Sequence, residues 1–94
     1  MSSDALAWAL EQRRQHPYEQ LLLIAMGDSA DVNHCVDVDP HRYLQRVTPL
    51  STPEFAAGVL SQLRAAGLAR LVRDEDGDTH VQLQVTPAAW EAAA

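Results

Sequence analysis

The stretch LSTPEFAAGVLSQLRAAGLARL, residues 50–71, predicts one helix followed directly by a strand. Ser51 and Glu54 have the S-x-x-E spacing of a capping box, in which the two side chains satisfy backbone N–H groups near the helix start. With Ser51 as the cap, Leu50 and Phe55 fall at the two positions of a hydrophobic staple, which sets the angle at which the chain enters a helix.

The interior of this predicted helix is amphipathic. Its apolar residues recur at helical spacing, which indicates one buried face. Gly67 is predicted to end the helix, because glycine readily adopts the left-handed conformation that many helix C-termini need. Residues 68–72 then predict a strand. The predicted buried face consists of Phe55, Ala56, Val59, Leu60 and Leu63.

Length and charge define the class of protein. The 94 residues suit a single domain, 1–94, and a hydrophobic content of 47% is ordinary for a globular chain. The net charge is −6, and the cations are seven arginines with no lysine. An acidic total removes the bulk electrostatic attraction that supplies most non-specific affinity for nucleic acid, so binding to DNA would need a local basic patch.

Cysteine content and hydropathy indicate the compartment. A single cysteine excludes an internal disulfide and fits a reducing compartment. No apolar run approaches the roughly 20 residues that a membrane span needs. The N-terminus, MSSDALAW, has no positive region ahead of an apolar one, as a secretory signal would. We therefore predict a soluble cytoplasmic protein with no membrane partner.

Two helices are predicted before the first strand. The first covers residues 1–16, and its Trp8 either covers the domain's own core or forms an oligomer or partner contact, such as a homodimer interface. Pro17 opens the second helix, where residues 21–26 are apolar nearly all round, as in a central buried helix. Gly27 and Asp28 are predicted to end this second helix.

A short strand and a short helix follow. The segment HCVDVD, residues 34–39, alternates in polarity and predicts a strand with Val36 and Val38 facing inward. Asp39 followed by Pro40 predicts a helix start, since a carboxylate caps the helix and proline suits its first position. The residues of this helix predicted to face inward are Tyr43, Leu44 and Val47.

The C-terminal third predicts a hairpin and a last helix. ARLVR and THVQLQV are joined by an acidic turn that contains Gly77, which is typical of a β-hairpin. The run 79–85 alternates cleanly between apolar and polar residues. The last predicted helix covers residues 87–94, with Trp90 facing back onto the sheet, and offers a second surface for a homodimer.

The segments LLLIAMGDSAD, HCVDVDPHRYLQRV, STPEFAAGVLSQLRAAGLARL and VTPAAW occur in an order that resembles the winged helix-turn-helix domains of bacterial, phage and plasmid regulatory and replication proteins. The most specific fragment is VLSQLRAAGLARL, in which a helix carrying leucines ends in Ala-Gly-Leu before the wing. The resemblance implies an α+β, mainly α fold, with a helical core and a C-terminal β-hairpin wing. The helical core with the first wing strand would cover residues 18–73, and the wing residues 74–86.

The residues expected at the DNA-facing positions carry the wrong charge for DNA. In the family that the chain resembles, polar and basic residues begin the DNA-reading helix, and the wing tends to carry arginine or lysine. Here Glu54 lies in the first turn of that helix, and its only cation, Arg64, lies far from the start. The carboxylates of the wing, which would oppose a polyanion, are Asp74, Glu75, Asp76 and Asp78.

Two functions of different classes follow. The first is a small acidic winged-helix regulatory protein that acts through protein–protein contact in a transcription, replication or phage and mobile-element setting. Its partner would be a protein with a basic surface, although the wing can also be read as a simple solvated hairpin. The predicted partner-binding residues are Asp74, Glu75, Asp76, Asp78 and Glu54.

The second function is a sequence-specific DNA-binding transcriptional regulator, which the family resemblance favours and the local charge opposes. Such a regulator would be dimeric through Trp8 or the C-terminal helix. The predicted DNA-binding residues are Ser51, Thr52, Arg42, Arg46, Arg64 and Arg73.

Other chemistry receives little support. The cluster His34, Cys35, Asp37, Asp39 and His41 invites a metal interpretation, but its spacing is not that of a structural zinc site, so we predict no metal. The DEDGD turn lacks the twelve-residue calcium-loop pattern. No glycine-rich phosphate loop or nucleophile elbow is present, and we predict neither an enzyme nor a cofactor.

Overall fold

The computed structural model describes residues 3–86, which form a small α+β fold of four helices and a three-stranded antiparallel sheet. The predicted C-terminal helix, 87–94, and Trp90 lie outside the described residues. In chain order the elements are α1 (Ser3–Glu11), α2 (Pro17–Ser29), β1 (Cys35–Asp37), α3 (Pro40–Leu44), α4 (Pro53–Ala65), β2 (Ala69–Arg73) and β3 (Thr79–Leu83).

The sheet has the strand order β1-β3-β2. Val81 of β3 lies opposite Val36 on one side and opposite Leu71 on the other. The predicted C-terminal hairpin is therefore not a separate appendage, because the strand between α2 and α3 pairs with it. The prediction that Val38 faces inward is wrong: β1 ends at Asp37, and Val38 is 43% exposed.

The first helix is shorter than predicted and lies against the second. It ends at Glu11 rather than residue 16. Trp8 is 3% exposed and belongs to the hydrophobic core, so the interpretation of Trp8 as a dimer or partner contact is wrong. The side chain covers the domain's own core, as the other interpretation predicts.

The second helix continues past Gly27 and Asp28 to Ser29, so the prediction that these two residues end it is wrong by one residue. Gly27 is buried, and a Cβ atom there would lie 2.9 Å from the backbone oxygen of Ala5 and 3.1 Å from the Cβ of Ala9. The glycine therefore allows α1 to approach α2 closely. As predicted, α2 is central: it contacts α1, α3 and α4.

The third helix begins where the sequence predicts. Pro40 is its first residue, and the Asp39 carboxylate accepts a hydrogen bond from the Arg42 N–H at 3.4 Å. Tyr43 and Leu44 are buried, as predicted. The prediction that Val47 faces inward is wrong, because α3 ends at Leu44 and Val47 is 44% exposed.

The fourth helix is capped by Thr52 rather than Ser51. The Thr52 hydroxyl accepts a hydrogen bond from the Phe55 N–H at 3.1 Å, while the Ser51 hydroxyl lies 2.9 Å from Nδ1 of His41. The predicted capping box of Ser51 and Glu54 is therefore wrong. The predicted staple is wrong as well, since the cap lies one residue later and Leu50 is 69% exposed.

The end of α4 confirms the prediction for Gly67. Its φ is 77°, in the left-handed region. The Gly67 N–H donates to the Arg64 oxygen and the Leu68 N–H donates to the Leu63 oxygen, both at 3.0 Å, which is the hydrogen-bond pattern of a Schellman motif. The prediction that Phe55 belongs to the buried face of α4 is wrong, because its side chain is 37% exposed. The other predicted members of that face are buried: Ala56, Val59, Leu60 and Leu63.

Candidate interaction surface

The loop between β2 and β3, residues 74–78, is called the hairpin tip below. Asp74 organises it: one carboxylate oxygen accepts hydrogen bonds from the N–H groups of Asp76 and Asp78, each at 2.9 Å. The backbone closes the same turn, because the Asp74 N–H donates to the Asp78 oxygen at 2.9 Å. Gly77 supplies the positive φ of 86° that the turn requires. Asp74 is therefore a structural residue of the turn.

The second oxygen of the Asp74 carboxylate lies 2.7 Å from Nε2 of His80. His80 is the second residue of β3, the strand that follows the hairpin tip. This hydrogen bond raises the pKa of His80 above its ordinary value, and the negative charges of Asp74, Asp37 and Asp78 raise it further. The same hydrogen bond lowers the pKa of Asp74, with help from the N–H groups of Asp78 and Asp76. Each group thus favours the charged form of the other.

Three carboxylates of the tip remain available to a partner. Glu75, Asp76 and Asp78 are exposed. Within residues 3–86, their side chains form no hydrogen bond and no ion pair. The tip therefore presents three unpaired negative charges, and the fourth predicted member, Asp74, is used by the turn itself.

The structure brings two of the candidate DNA-binding arginines together. Arg42 forms an ion pair with Asp37 at 2.7 Å. The Arg46 guanidinium lies 5.6 Å from the centre of the Tyr43 ring and donates to the Ser29 hydroxyl at 3.3 Å. Both arginines line a groove of about 330 Å³ between α3 and the edge of the sheet. Because Asp37 neutralises Arg42, the groove does not present two free positive charges.

The other candidate DNA-binding residues lie apart from that groove. Arg64 is in the last turn of α4, and Arg73 is the last residue of β2, directly before Asp74. The hydroxyls of Ser51 and Thr52 are already used, by His41 and by the helix cap. Neither Arg64 nor Arg73 lines the groove that Arg42 and Arg46 share.

Glu54 occupies an exposed position in the first turn of α4, as predicted from the sequence. Next to it, a second groove of about 490 Å³ lies between α4 and the start of α2. Phe55 borders this groove and meets the ring of Tyr18 edge-on, with the ring centres 4.9 Å apart. The sequence analysis assigned Phe55 to the core and did not predict this groove. A glycine in the interior of the predicted helix, Gly58, was the signal in the sequence that could have indicated it.

The residues considered for a metal site have other roles. Asp37 pairs with Arg42, Asp39 caps α3, and His41 contacts Ser51. Burial raises the pKa of the Cys35 thiol, and the nearby charge of Asp31 adds to that effect. No group of three or more histidine, cysteine or acidic side chains within residues 3–86 is arranged to hold a metal ion.

No protein-family model matches the chain, and neither the curated proteins nor the solved structures contain a match to it. Among the residues that the structure describes, no helix has both the length and the apolar character needed to cross a membrane.

Proposed function

We propose that this chain is a small regulatory protein of the winged helix-turn-helix type that acts through protein–protein contact, with the hairpin tip meeting a basic surface on the partner. Two features support the fold assignment. α3 and α4 are consecutive, contacting helices, and the β2–β3 hairpin follows α4 directly. In winged helix-turn-helix domains the corresponding helix pair is likewise followed by a hairpin wing.

The observation that carries the functional proposal is the unpaired charge at the hairpin tip. Glu75, Asp76 and Asp78 project from a turn that Asp74 holds in place. In a DNA-binding protein these charges would lie near phosphates and oppose binding. Facing a basic protein surface, they would instead accelerate association and select the partner.

A charge-reversal pair tests this proposal. Glu75→Lys/Asp76→Lys keeps Asp74 and therefore keeps the hydrogen bonds of the turn. Glu11→Lys/Asp28→Lys is the matched control, because it changes two exposed carboxylates elsewhere by the same total charge. We expect cross-linking pull-downs with the hairpin variant to lose a specific set of proteins that the control still captures. Capture of the same proteins by both variants contradicts the proposal.

A DNA-binding regulator is the second candidate function. It is favoured by Arg42 of α3 and Arg46, two residues beyond the end of α3, which line the same groove directly before the predicted DNA-reading helix. Fluorescence anisotropy with mixed-sequence duplex DNA at low salt separates the two functions. Micromolar or tighter binding that weakens steeply with salt, and that is reduced in Arg42→Ala and Arg46→Ala, would favour this second function.

A further inference from the structure

The outward side of α4, opposite its buried residues, is uncovered in the described structure. This α4 outer face is composed of Glu54, Ala57, Gly58, Ser61 and Ala65, all of which are exposed. Their spacing of three and four residues places them on one side of the helix. Small side chains in the centre would let another helix approach to the close end of the usual 8–10 Å range of interaxial distances.

Within residues 3–86, no neighbouring group explains the glycine at position 58. A Cβ atom there would meet nothing within 4 Å, whereas a Cβ at Gly27 would collide with α1. Glycine in a helix interior destabilises the helix relative to alanine, and neither a positive φ nor crowding among the described residues requires it here. The side of α4 next to Gly58 also borders the groove that Phe55 and Val59 line together with Glu19 and Gln62.

The charges at the two ends of α4 identify the occupant of this face. Glu54 is the acidic residue of the first turn and Arg64 the basic residue of the last turn. Within residues 3–86 neither side chain has an ion-pair partner. Ten residues of helix separate them by about 15 Å. If a second α4 lies antiparallel with its centre opposite Val59, Glu54 comes opposite Arg64 of the partner subunit.

We infer that the α4 outer face, with the adjoining groove, is a self-association surface on which two copies of this chain pair through antiparallel α4 helices. The two-fold symmetry forms the Glu54–Arg64 pair twice, and it brings Ala57 opposite Ser61 of the partner subunit, where both side chains are small. Such an interface is isologous, since the same patch serves both copies. It does not involve the hairpin tip, so the inference is independent of the proposed function.

The expected dimer is weak, because one helix pair and its flanks cover less surface than a standard interface of about 800 Å² per partner. We expect a dissociation constant of about 10–1,000 μM, which weakens as salt screens the charge pairs. Sedimentation equilibrium of the full chain at concentrations up to about 1 mM covers this range.

Two single charge reversals and their mixture test the geometry. Glu54→Arg and Arg64→Glu each place like charges together twice, and we expect each to weaken self-association by roughly tenfold or more. In an equimolar mixture the opposite charges meet again, so we expect a heterodimer at least as tight as the unmodified dimer. Both residues also suit the helix dipole, so circular dichroism checks that each variant keeps its helix content.

Glu11→Arg and Arg13→Glu are the matched controls, because they change exposed side chains of the same charges away from α4 and from the hairpin tip. Both controls should associate like the unmodified chain. The inference is overturned if the unmodified chain stays monomeric up to about 1 mM or if the α4 variants associate as the controls do. It is also overturned if the mixture of Glu54→Arg and Arg64→Glu forms no heterodimer.

Discussion

At the scale of single residues, the hairpin tip shows that similar side chains in one loop have different roles. Asp74 accepts two backbone hydrogen bonds and contacts His80, whereas the side chains of Glu75, Asp76 and Asp78 are left to solvent. An aspartate side chain bonded to N–H groups further along its own turn is a common way to fix a loop. The loop therefore combines one aspartate that shapes it with three exposed carboxylates that form no ion pair within residues 3–86.

Substitutions at Asp74 should distinguish the effect of its backbone hydrogen bonds from the effect of its negative charge. Asp74→Asn keeps an oxygen that can accept the two backbone hydrogen bonds, whereas Asp74→Ala removes it. We expect amide hydrogen exchange at Asp76 and Asp78 to accelerate strongly in Asp74→Ala and only slightly in Asp74→Asn. Asp76→Ala serves as the control and should leave the exchange at Asp78 nearly unchanged. Equal protection in all three variants contradicts this role for Asp74.

The Asp74–His80 pair predicts how hairpin stability depends on pH. The pKa of Asp74 is lowered from 3.8, so its contribution is present above that value and is lost as pH falls through the folded pKa. The pKa of His80 is raised from 6.5, so its contribution is complete below that value and is lost as pH rises through the folded pKa. Hairpin protection factors from hydrogen exchange should therefore be highest between about pH 4 and pH 6.5.

The variant His80→Gln tests the alkaline side of this profile. It should remove the loss of protection above pH 6.5 and keep the loss in acid, because Asp74 still titrates. An NMR titration should also show that the pKa of His80 falls when Asp74 is replaced by asparagine. If His80 titrates identically in both proteins, the hydrogen bond to Asp74 does not control it.

At the scale of elements, two glycines affect α4 differently: one ends the helix and the other lies in its interior. Gly67 has a φ of 77° and ends the helix, while Gly58 lies in its interior with open space around the missing Cβ. Thr52 fixes the other end of the helix by accepting the Phe55 N–H. The boundaries of α4 thus depend on two local hydrogen-bonding motifs, and Gly58 weakens the helix between them.

Replacing each of these glycines by alanine should change stability in opposite directions. Gly67→Ala should lower the free energy of unfolding by about 1 kcal/mol, because alanine is strained in the left-handed region. Gly58→Ala should raise it by about 0.5–1 kcal/mol through helix propensity. Urea denaturation at low micromolar protein concentration, where self-association is negligible, measures both. Destabilisation of similar size at both positions contradicts this assignment.

At the scale of the whole molecule, α1 packs against α2 and contributes side chains to the core. Trp8 and Ala5 are buried against the neighbouring elements, and the absence of a side chain at Gly27 allows α1 to approach α2. In the sheet, β1 joins the hairpin by pairing with β3. Segments distant along the chain therefore contribute to one small core.

The close approach of α1 predicts that Gly27→Ala is destabilising. The new Cβ would lie 2.9 Å from the backbone oxygen of Ala5, so α1 must shift. We expect a loss of about 1–2 kcal/mol, since overpacking typically costs 1–3 kcal/mol and the gain in helix propensity offsets part of it. Gly58→Ala is the same substitution in open space and is the control. A Gly27→Ala protein as stable as the unmodified chain in urea would refute the tight α1–α2 packing.

The sequence by itself determined the order of the described elements and several of their ends. Asp39 and Gly67 were identified correctly because caps and left-handed helix ends depend on residues within one turn of each other. The second strand of the hairpin was visible from the alternation of residues 79–85 for the same reason. The sequence also located the acidic tip, since charge requires no knowledge of the fold.

Only the tertiary structure decided which residues have partners. Gly27 has the sequence signature of a helix end, yet its role depends on Ala5, more than twenty residues away. The pairing of β1 with β3 and the ion pair of Arg42 likewise join segments whose contact no local pattern encodes. Periodicity and capping are properties of neighbouring residues, whereas burial and charge pairing depend on which distant surfaces the folded core brings together.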